Sequence, residues 1–134
     1  MTLPSANRTS VRILVVNHNS GPWLARCLAS LQAQTHAAFE AVIVDNASTD
    51  ESSRTTLPDS RFQRLSLEHN IGFAAGNNLA ARGATTSWLA LLNPDAMAAP
   101  DWLAQLPAEA ARHPEVAIFG STQLSALDPF RLDG

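Results

Sequence analysis

Lysine is absent from all 134 residues, so the nine basic side chains are arginines. That absence excludes a Walker-type phosphate lysine, a Schiff-base amine and the lysine that receiver domains place beside their aspartate. Cysteine is almost absent too, and the single Cys27 rules out an intramolecular disulfide. It falls with Trp23, Leu24, Leu28 and Leu31 at helical spacing and reads as core. No apolar run approaches the roughly 18 residues of a membrane span, and Met1 to Ser10 lacks the apolar centre of a signal peptide. Positive charge is scarce: a net charge of -3 offers no basic stripe for nucleic-acid polymers or anionic lipid. Zinc-type ligand spacing and a G-x-S-x-G elbow are missing, and Gly72-Phe-Ala-Ala-Gly76 lacks the spacing of a dinucleotide fingerprint. A single soluble domain is expected, cytoplasmic, or peripheral on the inner face of the membrane in a full-length protein.

What the chain does contain is an alternation of short apolar runs with helical periodicity. Val11 to Val16 reads as a strand buried on both faces, and Pro22 fixes a φ suited to the first turn of a helix reaching about Gln34. Ala41 to Val44 is a second strand, followed by Ser48 and Glu51 at capping-box spacing for a short helix. Phe62 to Leu67 alternates as a strand, and the stretch from Asn70 to Asn78 leads into a helix that Gly83 ends. Trp88 to Leu92 is expected to be a buried strand. Pro100 to His113 is expected to be a helix interrupted or kinked at Pro107 and stopped by Pro114, and Val116 to Phe119 one more strand. Such β-α-β units predict an α/β fold, an open and mostly parallel sheet with helices on both faces.

In such sheets ligands bind outside the carboxyl ends of the strands, where strand order reverses. Three predicted strands are followed there by Asn17-His18-Asn19, by Asp45-Asn46 and by Asn93-Pro94-Asp95. A crevice lined with carboxylates and amides, without excess positive charge, suits a ligand that brings phosphates together with a divalent cation. Asp45 can accept hydrogen bonds from the imide of a pyrimidine base or from a ribose hydroxyl, and it can equally be an acid that favours a helix N-terminus. Asp95, set at the strand edge by Pro94, suits magnesium or manganese; an Asx-turn would use the same residues. His18 can stack on a base or simply be a solvated turn residue.

Four segments, in this order and spacing, carry a resemblance: Val-Val-Asn-His-Asn-Ser at 15–20, Val-Asp-Asn-Ala-Ser-Thr-Asp at 44–50, Asn-Ile-Gly-Phe-Ala-Ala-Gly-Asn-Asn at 70–78 and Leu-Asn-Pro-Asp-Ala at 92–96. Together they resemble the amino-terminal part of family 2 glycosyltransferases of the GT-A fold, especially rhamnosyltransferase-like members. The resemblance implies a Rossmann-like nucleotide-binding half. It implies that Asp45 pairs with the base, that Asn93 reaches the ribose, and that Asp95 binds the Mg2+ or Mn2+ bridging the diphosphate. It places Asn70, Gly72 and Asn78 on the diphosphate side, and His18, where family members often carry an aromatic residue, on the base. Asn17, Asn19 and Asn46 complete the expected nucleotide-binding set. The implied donor is a UDP- or dTDP-sugar, and the implied acceptor is a glycan or a lipid-linked molecule.

The expected reaction is inversion by direct displacement, with a carboxylate deprotonating the acceptor. That base lies further downstream in the family, so neither Asp128 nor Asp133 is assigned to it. Residues 1–10 are expected to be disordered or extended, 11–120 to bind the nucleotide sugar, and 121–134 to open an acceptor half that this truncated chain lacks. A non-catalytic domain of the same fold, binding a sugar nucleotide or a partner, is the alternative; a homo-oligomer is compatible with either.

Overall fold

A strand as rich in β-branched residues as Val11 to Val16 is stable only where both of its faces are covered. The computed structural model, which describes residues 10–128, 131 and 132, gives it that place: β1, Val11–Asn17, lies inside a parallel sheet. β2 (Phe39–Asp45), β3 (Phe62–Ser66) and β4 (Trp88–Leu91) complete the four strands in the order β3-β2-β1-β4. The chain therefore steps outward from β1 in one direction through β2 and β3, then returns to β1's other side with β4. The reversal falls between β1 and β4. Residues 1–9 lie outside the described residues, and with them most of the segment expected to be disordered or extended.

Both faces carry helices, as expected. On one, α1 (Trp23–Gln32) and α3 (Trp102–Arg112) bury Leu24, Leu28, Leu31 and Leu103 against Val11, Ile13, Val15, Phe39, Ala41 and Ile43. On the other, α2 (Phe73–Ala81) lies over Leu14, Val42 and Val44. Its approach is close: a Cβ on Gly76 would stand 2.9 Å from Val16 Cγ1. Arg12 fixes the far end of α2 by donating from Nη1 to the carbonyls of Ala80 (3.2 Å) and Arg82 (3.0 Å), while its Nε pairs with Glu40 at 2.9 Å. Gln34, at the end of α1, donates to Ala99 O (2.7 Å) and accepts from Leu103 N (3.0 Å), so α3 is docked by a buried side chain.

Several expectations are corrected. β4 is an edge strand, and α2 packs mainly on β1 and β2, so Leu89 and Leu91 are exposed rather than buried. Val116 to Phe119 forms no strand: among the described residues no strand is aligned beside it, and Ile118 is 89% exposed. Apolar β-formers make a strand only where a ladder partner is aligned. The helix α3 continues through Pro107 without a break. The cap of the short 3-10 turn Glu51–Arg54 is Asp50, whose carboxylate accepts from Ser52 N at 3.0 Å, in place of the Ser48–Glu51 box.

Candidate functional site

β1 and β4 end side by side, and their loops enclose an open cleft of about 460 Å³ lined by His18, Asn19, Ser20, Trp23, Asn93, Pro94 and Asp95. The cleft sits at the reversal of strand order, where a parallel sheet cannot fill the space between diverging loops. Of the expected site residues, His18, Asn19, Asn93 and Asp95 meet here. Asp45, Asn17 and Asn46 do not line it; they lie behind the loops, buried.

The buried set is a hydrogen-bonded brace. Asn17, fully buried, donates from Nδ2 to Asp45 Oδ1 (2.8 Å), Ser52 Oγ (2.9 Å) and Ser48 Oγ (3.2 Å), and its Oδ1 accepts from Ser20 Oγ. Asp45, 4% exposed, also accepts from Ser48 N at 3.3 Å. Asn19, in the left-handed region at φ 49°, accepts on Oδ1 from Thr49 N (2.7 Å) and Asp50 N (3.3 Å). Gly21 N donates to Asp50 Oδ2 at 2.9 Å. The Ser52 hydroxyl, and then the N–H groups of Gly21 and Ser52, hold the Asp50 carboxyl below the usual carboxylate range. The loops after β1 and β2 are thus one rigid unit.

A second brace reaches the loop before α2. Asn46 donates from Nδ2 to Gly72 O (3.0 Å) and accepts on Oδ1 from Ile71 N (2.9 Å), so its amide is committed to that loop. His18 Nδ1 lies 2.8 Å from Asn46 O; a carbonyl only accepts, so this nitrogen carries the proton and Nε2 faces Asn19 Nδ2 at 3.4 Å. The ring is thereby held by its edge with its side chain exposed. Asn70 turns inward on its own loop, accepting from Gly72 N at 2.9 Å, and Gly72 itself takes φ 87°, a conformation that favours glycine. Asn78 is exposed on α2, while its neighbour Asn77 is buried and bonds Phe73 O at 3.0 Å.

The β4 side is open. Among the described residues, neither the Asn93 nor the Asp95 side chain has a hydrogen-bond partner in the protein, and both are exposed. Their turn is held from behind by the backbone: Asn93 O accepts from Ala96 N (3.0 Å) and from the Cys27 thiol (3.6 Å). Burial, with the nearby Asp95 charge adding, pushes that thiol up to about 12, so Cys27 is an inert core group. Among the described residues no group of three His, Cys, Asp or Glu is placed to hold a metal, which leaves Asp95 as the one carboxylate in the cleft. A single carboxylate with an adjacent amide oxygen fits a cation that completes its shell with substrate phosphates and water, and does not fit an all-protein cage.

This arrangement matches known proteins along nearly the whole chain. The profile of Glycosyl transferase family 2 covers residues 12–132. The chain belongs to that family. Among curated relatives, the succinoglycan biosynthesis protein ExoO of Rhizobium meliloti is 30% identical over 98 residues, which is 72% of this chain and 28% of that protein. Among solved structures, the mannosyltransferase PcManGT of Pyrobaculum calidifontis, in complex with GDP-Man and Mn2+, superposes with a TM-score of 0.72 at 28% identity over 79% of this chain and 33% of that one. S. aureus TarS in complex with UDP-GlcNAc gives 0.68 at 24% identity over 78% of this chain and 32% of its own, a likeness of fold. This family 2 chain spans from 9% to 36% of the length of the curated relatives it matches. The fold is that of GT-A glycosyltransferases, as expected, and no helix among the described residues is long and apolar enough to cross a membrane.

Two features of this family 2 site escaped the sequence reading. Trp23, grouped with the core of α1, is 41% exposed and lines the cleft. The stripe Leu24, Cys27, Leu28 and Leu31 is complete without it, which is the signal that its side chain was free to face elsewhere. The brace through Ser20, Ser48, Asp50 and Ser52 was also missed, because its members look like ordinary turn residues when each is taken singly.

Proposed function

We propose that this chain is the donor-binding domain of an inverting glycosyltransferase, taking a UDP- or dTDP-sugar with Mg2+ or Mn2+ for transfer to a glycan or lipid-linked acceptor. The observation that carries the reading is the cleft at the β1/β4 reversal, where the exposed, unpartnered Asp95 and Asn93 face His18 and Asn19. In this reading the His18 ring stacks on the base, and Asp45 accepts its imide N–H on an oxygen that retains a lone pair beside the bonds from Asn17 and Ser48. Asn93 takes the ribose and Asp95 holds the cation. Asn70, Gly72 and Asn78 shape the diphosphate side, while Asn17, Asn19 and Asn46 keep the loops in register.

A bound divalent cation supplies neutralisation of the charge that develops on the departing diphosphate. The protein's part is preorganisation: braced loops fix the base and ribose before reaction, so the anomeric carbon meets its acceptor without reorganisation of the site. The chain's own carboxylates are assigned no role as the base that deprotonates the acceptor. A cytoplasmic location, peripheral on the membrane for a lipid-linked acceptor, is part of this reading. Titration calorimetry with UDP and dTDP, with and without Mn2+, tests the proposal. The expected result is binding that tightens with the metal; an intact, folded chain that binds neither nucleotide overturns it.

A further inference from the structure

The cleft presents a polar floor with one negative charge, and a diphosphate is itself an anion, so charge must be offset from the protein as well as from a cation. With no lysine in the chain, arginine is the side chain that carries a permanent positive charge. Among the described residues, Arg12, Arg61 and Arg112 are paired with Glu40, Asp59 and Glu109. Arg26, Arg54, Arg64, Arg82 and Arg131 make no ion pair among the described residues. What sets the exposed Arg26 apart is its place: its guanidinium carbon stands 4.8 Å from the ring centroid of Trp23, the side chain that lines the cleft. The two residues are three apart in the first turn of α1, and helical side chains lean toward the helix N-terminus, which here is the carboxyl edge of the sheet. Stacking on an indole occupies a guanidinium's face and leaves its in-plane N–H donors directed outward, the geometry that takes two phosphate oxygens at once.

We propose that Arg26, held against the Trp23 ring at the rim of the cleft, is a phosphate-docking residue for a diphosphate ester. The inference rests on the donor-binding reading of the cleft, and the diphosphate has two sources, the donor nucleotide or a diphosphate-linked acceptor. Trp23 is the positioning residue: it restricts a long flexible side chain to one orientation, so less freedom is lost when the phosphate arrives.

The test is calorimetry of the whole chain with Mn2+, using UDP and farnesyl diphosphate as probes and comparing Arg26→Ala, Arg26→Lys, Trp23→Ala and Trp23→Phe. If the donor is the source, Arg26→Ala weakens UDP about tenfold or more, as expected for loss of a charge-assisted hydrogen-bond pair. The loss shrinks in high salt. Arg26→Lys restores the charge without the fork and recovers only part of the affinity. Trp23→Phe binds as the parent does, whereas Trp23→Ala loses part of the same affinity and none of the salt response. If the acceptor is the source, the same pattern appears with farnesyl diphosphate and UDP is unchanged. Parent-like binding of both probes by Arg26→Ala overturns the inference while leaving the donor reading intact. Failure of the unmodified chain to bind either probe overturns both.

Discussion

β1 and β4 are neighbours in one sheet and end at one cleft, yet the protein treats them in opposite ways. β1 is covered on both faces, and its terminal Asn17 is fully buried in a net of hydrogen bonds. β4 has one face open, and the Asn93 and Asp95 side chains that follow it have no hydrogen-bond partner among the described residues. The contrast separates two tasks. A polar group fixed by buried bonds keeps its geometry and resists exchange with a ligand; one left in water is available to bind. Asp45 and Asp95, which look equivalent as acids after apolar runs, differ in the same way: Asp45 is buried and already bonded to Asn17 and Ser48, whereas Asp95 stands in the open cleft.

The contrast breaks first at a single rung of the ladder. Leu14 and Leu91 are register partners, with Leu14 2% and Leu91 55% exposed. Leu14→Ala should cost about 2–5 kcal/mol through lost burial and the cavity left under α2, whereas Leu91→Ala should cost under about 1 kcal/mol. Urea denaturation of both variants measures this; equal losses would show that β4 is covered as β1 is.

Next in size is the pair of asparagines that end the two strands. Asn17→Ala should cost about 3 kcal/mol, because it removes the side-chain donor to the buried Asp45 carboxylate and to the Ser52 hydroxyl together, leaving Asp45 only the bond from Ser48 N. Asn93→Ala should change stability by no more than about 0.5 kcal/mol. If the two are alike in denaturation, the brace is not rigid and the division between fixing and binding fails. A smaller change has the opposite sign. Ala47, between Asn46 and Ser48, takes φ 57°, which costs a side chain with a Cβ about 1 kcal/mol. Ala47→Gly should therefore raise stability by about 0.5–1 kcal/mol, read as an increase in denaturation midpoint.

The same division explains what could be read without coordinates. β1, β2 and α1 were legible because burial leaves marks: Val11 to Val16 and Ala41 to Val44 are short, apolar-rich runs, and Leu24, Leu28 and Leu31 recur by turns. The exposure of Leu91 was not, since an edge strand and a central strand of four apolar residues look alike until the span of α2 is known. Val116 to Phe119 has strand-like composition but no ladder partner among the described residues, and pairing is a property of two segments. At the site, His18, Asn19, Asn93 and Asp95 were legible from their position just after apolar runs; that the same rule does not bring Asp45 and Asn46 into the cleft depends on the strand order. The brace did not, because the bonds joining Asn17 to Ser52 or Asn19 to Thr49 span 35 and 30 residues and depend on loop shape.

The least effect on folding is expected where the effect on binding is greatest. Asp95 is exposed and forms no bond within the described protein, so Asp95→Ala should leave stability within about 0.5 kcal/mol of the parent. Asp95 is also the one carboxylate of the cleft, and a cation coordinated mainly by phosphate and water depends on that single protein charge. Asp95→Ala should therefore abolish the enhancement of nucleotide binding by Mn2+ and leave only metal-independent affinity. Asp95→Asn separates the causes: it keeps the shape and one oxygen, so retention of the Mn2+ effect would place the cation on amide oxygens. Its loss would place the cation on the carboxylate. Calorimetry with UDP and dTDP against each variant, beside a denaturation curve for each, sets the free end of β4 directly against the fixed end of β1.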